Sequence, residues 1–144
     1  MIDIRLTDDL ATLQRLGVAA GLEPVPIVDV EVVRMWGACD GERMVGGVAR
    51  ERMGELHVVA WLWVAAEYRR RGLAARLLDA LEADAIRGGI RELWAAARVP
   101  IVFLSRGYIA APAGPARDAL LASCLDCRQF EKTCSPVAVF RSLP

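Results

Sequence analysis

Three arginines and a glycine, Arg69-Arg70-Arg71-Gly72, stand directly ahead of Leu73-Ala74-Ala75, and residues of these types in this order suit the capture of an anion. Guanidinium groups supply counter-charge to phosphate oxygens. A glycine lets the backbone approach them closely, and the small Ala74 keeps that approach clear. A helix beginning here adds its free N–H groups and the positive end of its dipole, so a pyrophosphate or ribose phosphate is the fitting ligand. Proton transfer has fewer candidates. His57 is the one histidine and is the candidate general base or water-ordering group, although a lone strand histidine can equally be a structural one. Glu55 and Glu67 rank behind it. A third cluster, Cys124-x-x-Cys127-x6-Cys134, reads as metal binding or redox before structural disulfide in an intracellular chain. Tetrahedral Zn²⁺ on Cys124, Cys127 and Cys134 needs a fourth ligand, for which Cys39 or His57 qualifies. Partly buried thiols bracing an irregular loop, and a regulatory disulfide, stay open beside zinc.

The elements that must position these groups follow from periodicity. Leu56 to Val64 alternates but is apolar on nearly both faces, as an internal strand covered on two sides should be. Leu73, Leu77, Leu78, Leu81 and Ala85 then recur at helical spacing, with Arg76, Asp79 and Glu82 expected toward solvent and Gly88-Gly89 as the stop. Upstream, Met1 to Leu6 forms a first strand and Thr7-Asp8-Asp9 offers an N-cap to a helix whose Leu10, Leu13 and Leu16 face inward. That helix ends by Gly17 or Gly21, before a proline-bounded loop at Leu22 to Pro26. Val30 to Ala38 and Arg43 to Arg52 form a hairpin about Asp40-Gly41, Gly46-Gly47 marks a bulge, and Met53-Gly54 turns into the internal strand. Downstream come a strand at Ile90 to Ala97, a short helix at Val99 to Ser105, a strand opening at Tyr108 to Ala111 and a last strand at Val137 to Ser142. The two strands joined by the long helix should run parallel, with ligand at their carboxyl ends.

Composition bounds the rest. The 144 residues make one domain, 1–144, with the cysteine-containing segment at 120–135, and a net charge of zero implies neither nucleic acid nor a membrane surface as partner. No apolar run reaches the roughly 18 residues of a membrane span. Met1-Ile2-Asp3-Ile4-Arg5 lacks an apolar leader core, so a cytoplasmic location is expected. The 55% hydrophobic content points to a buried subunit interface, that is, a homodimer.

Arg69-x-x-Gly72-x-Ala74, five residues past Val64 in a strand–turn–helix setting, resembles the acyl-CoA motif of the GNAT family of N-acetyltransferases, and the order of elements on either side is similar to that family's over most of the chain. The resemblance implies an α+β fold: a mixed central sheet of six to seven strands flanked by helices, with two strands splayed at the cofactor site. It implies acetyl-CoA as co-substrate. Its phosphates would lie on Arg69, Arg70, Arg71, Gly72, Leu73, Ala74 and Ala75, and its pantetheine arm along Leu62, Trp63 and Val64, where main-chain groups of Leu62 and Val64 hydrogen-bond it as a pseudo-strand. The family commonly places a tyrosine general acid where this chain has Phe103, and an asparagine where it has Ala96; Tyr108, five residues on, is expected in the core. The ending, Cys-x-x-Cys-x-x-Phe followed by Cys-x-Pro-x-Ala, resembles short amino-acid N-acetyltransferases of the N-acetylglutamate-synthase-like type. That likeness implies a small amine or amino-acid acceptor, its carboxylate clamped by Arg34 or Arg50, acetylated directly in a ternary complex. A non-catalytic acyl-CoA-binding protein, or a thiol- or metal-based sensor on the same fold, is the competing reading, favoured by Phe103.

Overall fold

A computed structural model describes residues 1–22, 30–122 and 136–144. Seven strands form one sheet in the order β1-β2-β3-β4-β5-β7-β6. They are β1 (Ile2–Thr7), β2 (Val30–Asp40), β3 (Arg43–Met53), β4 (Leu56–Val64), β5 (Glu92–Ala97), β6 (Ile109–Ala110) and β7 (Val137–Ser142). The helices are α1 (Leu10–Ala19), α2 (Leu73–Arg87), α3 (Pro100–Leu104) and α4 (Pro115–Ala122), with one 3-10 turn at Ala66–Tyr68. The first four strands are antiparallel neighbours, β5 runs parallel to β4, and β7 pairs antiparallel with both β5 and β6. The internal position expected for Leu56 to Val64 is therefore realised, in a mixed sheet.

Adjacent residues on one strand divide between two apolar clusters, which shows that both faces are covered. Val48, Val59 and Val139 join Leu73, Leu77, Leu78, Leu81 and Ala85 beneath α2. Their neighbours Ala49, Val58 and Ala138 point the other way, Ala49 to Leu13 of α1 and the other two to Leu120 of α4. The heptad-like spacing of the α2 leucines buries Leu77, Leu78 and Leu81 completely, each contributing roughly 1.5–3 kcal/mol. Asp9 caps α1, its carboxylate accepting from Thr12 N–H at 3.1 Å, a bond that lowers its pKa.

One expectation is corrected, and two features are added. Glu82 does not face solvent: it is 5% exposed and accepts hydrogen bonds from Tyr108, Arg106 and Arg141, so three donors from outside α2 override its polar-face position. The segment after β6 holds a helix, α4, which Pro115 at its start and the Ala/Leu run behind it could have signalled. The bulge expected at Gly46-Gly47 is present, with Val45 as the extra residue of β3 between Met44 opposite Cys39 and Gly46 opposite Ala38; a second lies on β4, where Gly47 opposes Trp63, Ala49 opposes Ala60 and Trp61 takes φ 56. Gly47 serves that bulge, because a Cβ there would stand 2.7 Å from Trp63 Nε1. Tyr108 is 2% exposed, in the core as expected.

Candidate active site

The site begins where β4 leaves β5. Parallel pairing between them is confined to Val58 opposite Trp94, and beyond that point the bulged end of β4 diverges. A strand that parts from its neighbour exposes backbone N–H and C=O groups that something else must satisfy. A cavity of about 610 Å³ opens in the divergence, lined by Ala60 and Ala96 of the two strands, with the start of α2 at its mouth.

At that mouth Gly72 is the N-cap of α2 at φ 75, in the left-handed region, and no side chain caps the helix. Arg70 is left-handed as well, φ 63. The first-turn amides thus meet the cavity without a protein side-chain acceptor, the condition for anion capture. The three arginines have different duties. Arg69 donates from Nε to the Val64 carbonyl (3.0 Å) and from Nη2 to the Ala20 carbonyl (3.1 Å), tying the end of β4 to the end of α1. Arg71 lies over the Tyr68 ring, 5.0 Å from its centroid, and bonds the Glu67 carbonyl. Arg70 lines the cavity and makes no hydrogen bond or ion pair among the described residues. Tyr68, whose hydroxyl donates to Asp40 (2.7 Å), and Arg98, which donates to the Gly21 carbonyl (2.8 Å), complete the wall; sequence reasoning missed both, since their partners are far away in the chain.

Of the residues expected at the cofactor, Leu62, Trp63, Val64, Arg69, Arg70, Gly72, Leu73 and Ala74 line this cavity, while Arg71 and Ala75 stand outside its lining. Phe103 lines it too, its ring edge-on to Tyr108 at 5.1 Å, and offers no proton. The Tyr108 hydroxyl donates to Glu82 at 2.8 Å, and burial together with that carboxylate raises its pKa far out of the working range. Neither ring can protonate a leaving thiolate.

His57 is not in the cavity lining. Its Nδ1 lies 3.4 Å from Arg50 Nη1 on the α2 face of the sheet, and burial, then Arg50 and Arg52, lower its pKa. The proposed carboxylate clamp is corrected: Arg50 and Arg34 both bind Asp84 of α2, at 3.0 and 2.7 Å, and Arg50 is buried. Glu67 is exposed and paired with Arg43. Cys124, Cys127 and Cys134 lie outside the described residues; among those described, no group of three or more His, Cys, Asp or Glu side chains could hold a metal ion.

Residues 14–108 match the family model described as "Acetyltransferase (GNAT) family". The chain belongs to that family. No curated protein matches it by sequence. Solved structures share its fold at low identity. N-acetylglutamate synthase from Neisseria gonorrhoeae, in complex with coenzyme A and N-acetyl-glutamate, superposes with a TM-score of 0.73 at 17% identity, covering 100% of this chain and 35% of that one. A Mycobacterium tuberculosis protein in complex with CoA gives 0.71 at 13% identity, with 99% of each chain covered. The IAA acetyltransferase of Bacillus cereus gives 0.68 at 12%, covering 99% and 100%. The chain spans about a third of the length of the synthase. No helix among the described residues is long and apolar enough to cross a membrane.

Proposed function

We propose that the protein transfers an acetyl group from acetyl-CoA to the amine of a small amino acid, directly, in a ternary complex. The observation that carries this reading is the divergence of β4 from β5 beyond Val58, with an uncapped, arginine-flanked helix N-terminus at its mouth. The pantetheine arm occupies the divergence, satisfied by main-chain groups around Leu62 and Val64, while Arg70 and the amides of Leu73 and Ala74 hold the phosphates. An amino-acid acceptor is supported by the fold shared with N-acetylglutamate synthases solved with N-acetyl-glutamate or with L-arginine. Phe103 stands in the wall at the position where the resembled family commonly has its tyrosine acid, and the Tyr68 hydroxyl is committed to Asp40, which favours water or the attacking nitrogen as the proton source for the thiolate and keeps a non-catalytic acyl-CoA-binding role as the second reading.

Acetyl-CoA should raise the melting temperature, because a ligand bound by the native state alone stabilises it by mass action. Gly72→Asp should abolish that shift, because the new carboxylate repels phosphate; nothing stands within 4 Å of a Cβ there, so the unliganded melting temperature should fall only by the few degrees that a side chain at φ 75 costs. Thiol release over a panel of amines and amino acids identifies the acceptor. A shift without turnover of any of them would favour the binding role; an undiminished shift in Gly72→Asp would remove the turn from the site.

A further inference from the structure

The acetyltransferase reading leaves the acceptor's proton without a destination. An amino acid arrives as an ammonium ion and must lose a proton before its nitrogen can attack. One ionisable group on the appropriate face of the sheet is buried and unused. Glu51 of β3 is 5% exposed and makes no hydrogen bond or ion pair among the described residues. Its register fixes its position: Glu51 opposes Val58 on β4 and Val32 on β2. Val58 is the residue that pairs with Trp94, the apex of the divergence between β4 and β5. Cross-strand partners lie about 4.5–5.5 Å apart at Cα, and their side chains share a face. Glu51 therefore projects beside the apex on the face of Ala49, Ala60 and Ala96, the last two of which line the cavity; Glu51 itself, like Val58, stands just outside that lining, one strand from Ala60. Its neighbour Arg50 projects to the other face, where it meets Asp84.

We propose that Glu51 is the catalytic base that takes the ammonium proton of the acceptor at the apex of the β4–β5 divergence. The proposal rests on the acetyltransferase reading. The Glu51 carboxylate accepts one proton from R–NH₃⁺; the neutral amine then attacks the thioester carbonyl, forming the C–N bond. The C–S bond breaks, the thiolate leaves with the second nitrogen proton, and the proton on Glu51 returns to solvent, so that one amide, one thiol and one proton result. Burial raises the Glu51 pKa to about 7, where a carboxylate is basic enough to act near neutrality. The surroundings on this face are apolar: Val30, Val32, Met53, Leu56 and Val58 on the strands, with Leu13 of α1 and Leu120 of α4 above. The charged groups of those helices, Arg15, Arg117 and Asp118, are exposed, and none contributes to the shift.

Glu51→Gln and Glu51→Met, compared with wild type, test the proposal through acetyl-CoA thermal shifts and through thiol release with the best amino acid of the panel between pH 5.5 and 9. The expected result is an intact acetyl-CoA shift in all three proteins, melting temperatures of the variants at or above wild type at pH 8, kcat/KM lower by about 10² or more, and loss of the wild-type rise in kcat/KM through pH 7. Activity in Glu51→Gln within threefold of wild type, with the same pH profile, overturns the role of Glu51 alone. Lowered melting temperatures together with lost acetyl-CoA shifts in both variants would overturn it in favour of a structural role. Absence of an acetyl-CoA shift in wild type overturns the acetyltransferase reading itself, and the role of Glu51 with it.

Discussion

Glu51 titrates at about pH 7, well above the 4.5 of an ordinary glutamate, because desolvation disfavours its charged form and no described partner offsets that cost. The folded state therefore binds a proton more tightly than the unfolded chain. Between pH 4.5 and 7 the native protein holds the proton that the unfolded one has lost, so this group makes stability fall as pH rises across that window, levelling off above it. A shift of this size corresponds to a loss on the order of 3 kcal/mol. Denaturant titrations at pH 5 and pH 8 should show wild type losing most of that amount relative to Glu51→Gln, which carries no titrating group there. Parallel pH dependences in the two proteins would mean that the carboxyl is solvated. Natural sequences retain such a cost at functional sites, where a carboxyl near neutrality does chemistry that a comfortable one cannot.

Elements meet at the cavity through arginine bonds to main-chain carbonyls. Arg69 joins the ends of β4 and α1, and Arg98 reaches from the end of β5 to Gly21, so both sides of the divergence are strapped to the same turn after α1. Arg70, one residue from Arg69, has a different role because its left-handed backbone turns its side chain to the cavity. The two arginines should separate cleanly on substitution. Arg70→Ala is expected to weaken acetyl-CoA binding about tenfold or more, the scale of one charge-assisted hydrogen bond, with the unliganded melting temperature unchanged. Arg69→Ala should lower the melting temperature itself, since it frees the Val64 and Ala20 carbonyls. Calorimetric titration and thermal melts of both variants check this, and an Arg70→Ala protein with wild-type affinity would leave the phosphates to the helix amides.

For the whole molecule the divergence is a structural weakness, since the two halves of the sheet pair only at Val58 and Trp94. Helix α2 rivets them from one face with two buried carboxylates. Asp84 binds Arg34 and Arg50 of β2 and β3, on one side; Glu82 binds Arg106, Tyr108 and Arg141, on the other. Breaking either cluster from the carboxylate side strands charge that has already lost its water. Glu82→Ala and Asp84→Ala should each destabilise the fold by about 3–5 kcal/mol in chemical denaturation. Replacement of Glu82 by alanine at a cost under 1 kcal/mol would show that α2 holds the halves by its leucines alone. His57 lies beside Arg50, which binds Asp84.

The chain's own residues determined a good deal. The period of two at Leu56 to Val64, the leucine spacing of α2, the Asp-Gly hairpin and the arginine–glycine turn are short-range patterns, and each formed the element it implied because backbone geometry and one-sided burial act within a few residues. Most of the cavity wall at the start of α2 was legible for the same reason. What the sequence could not decide was where charges find partners. Glu82 looked solvent-facing until Arg106, Tyr108 and Arg141 arrived from 24 to 59 residues away. Arg34 and Arg50 suited an acceptor carboxylate until Asp84, distant in sequence, bound both. Glu51 sat unremarked in Arg-Glu-Arg, because only the β3–β4 register and the point at which β4 leaves β5 put it opposite Val58, at the apex of the divergence. Local pattern specifies elements; strand register and helix docking decide which polar groups lose water, and the tertiary structure alone sets the pKa values and pairings on which the chemistry depends.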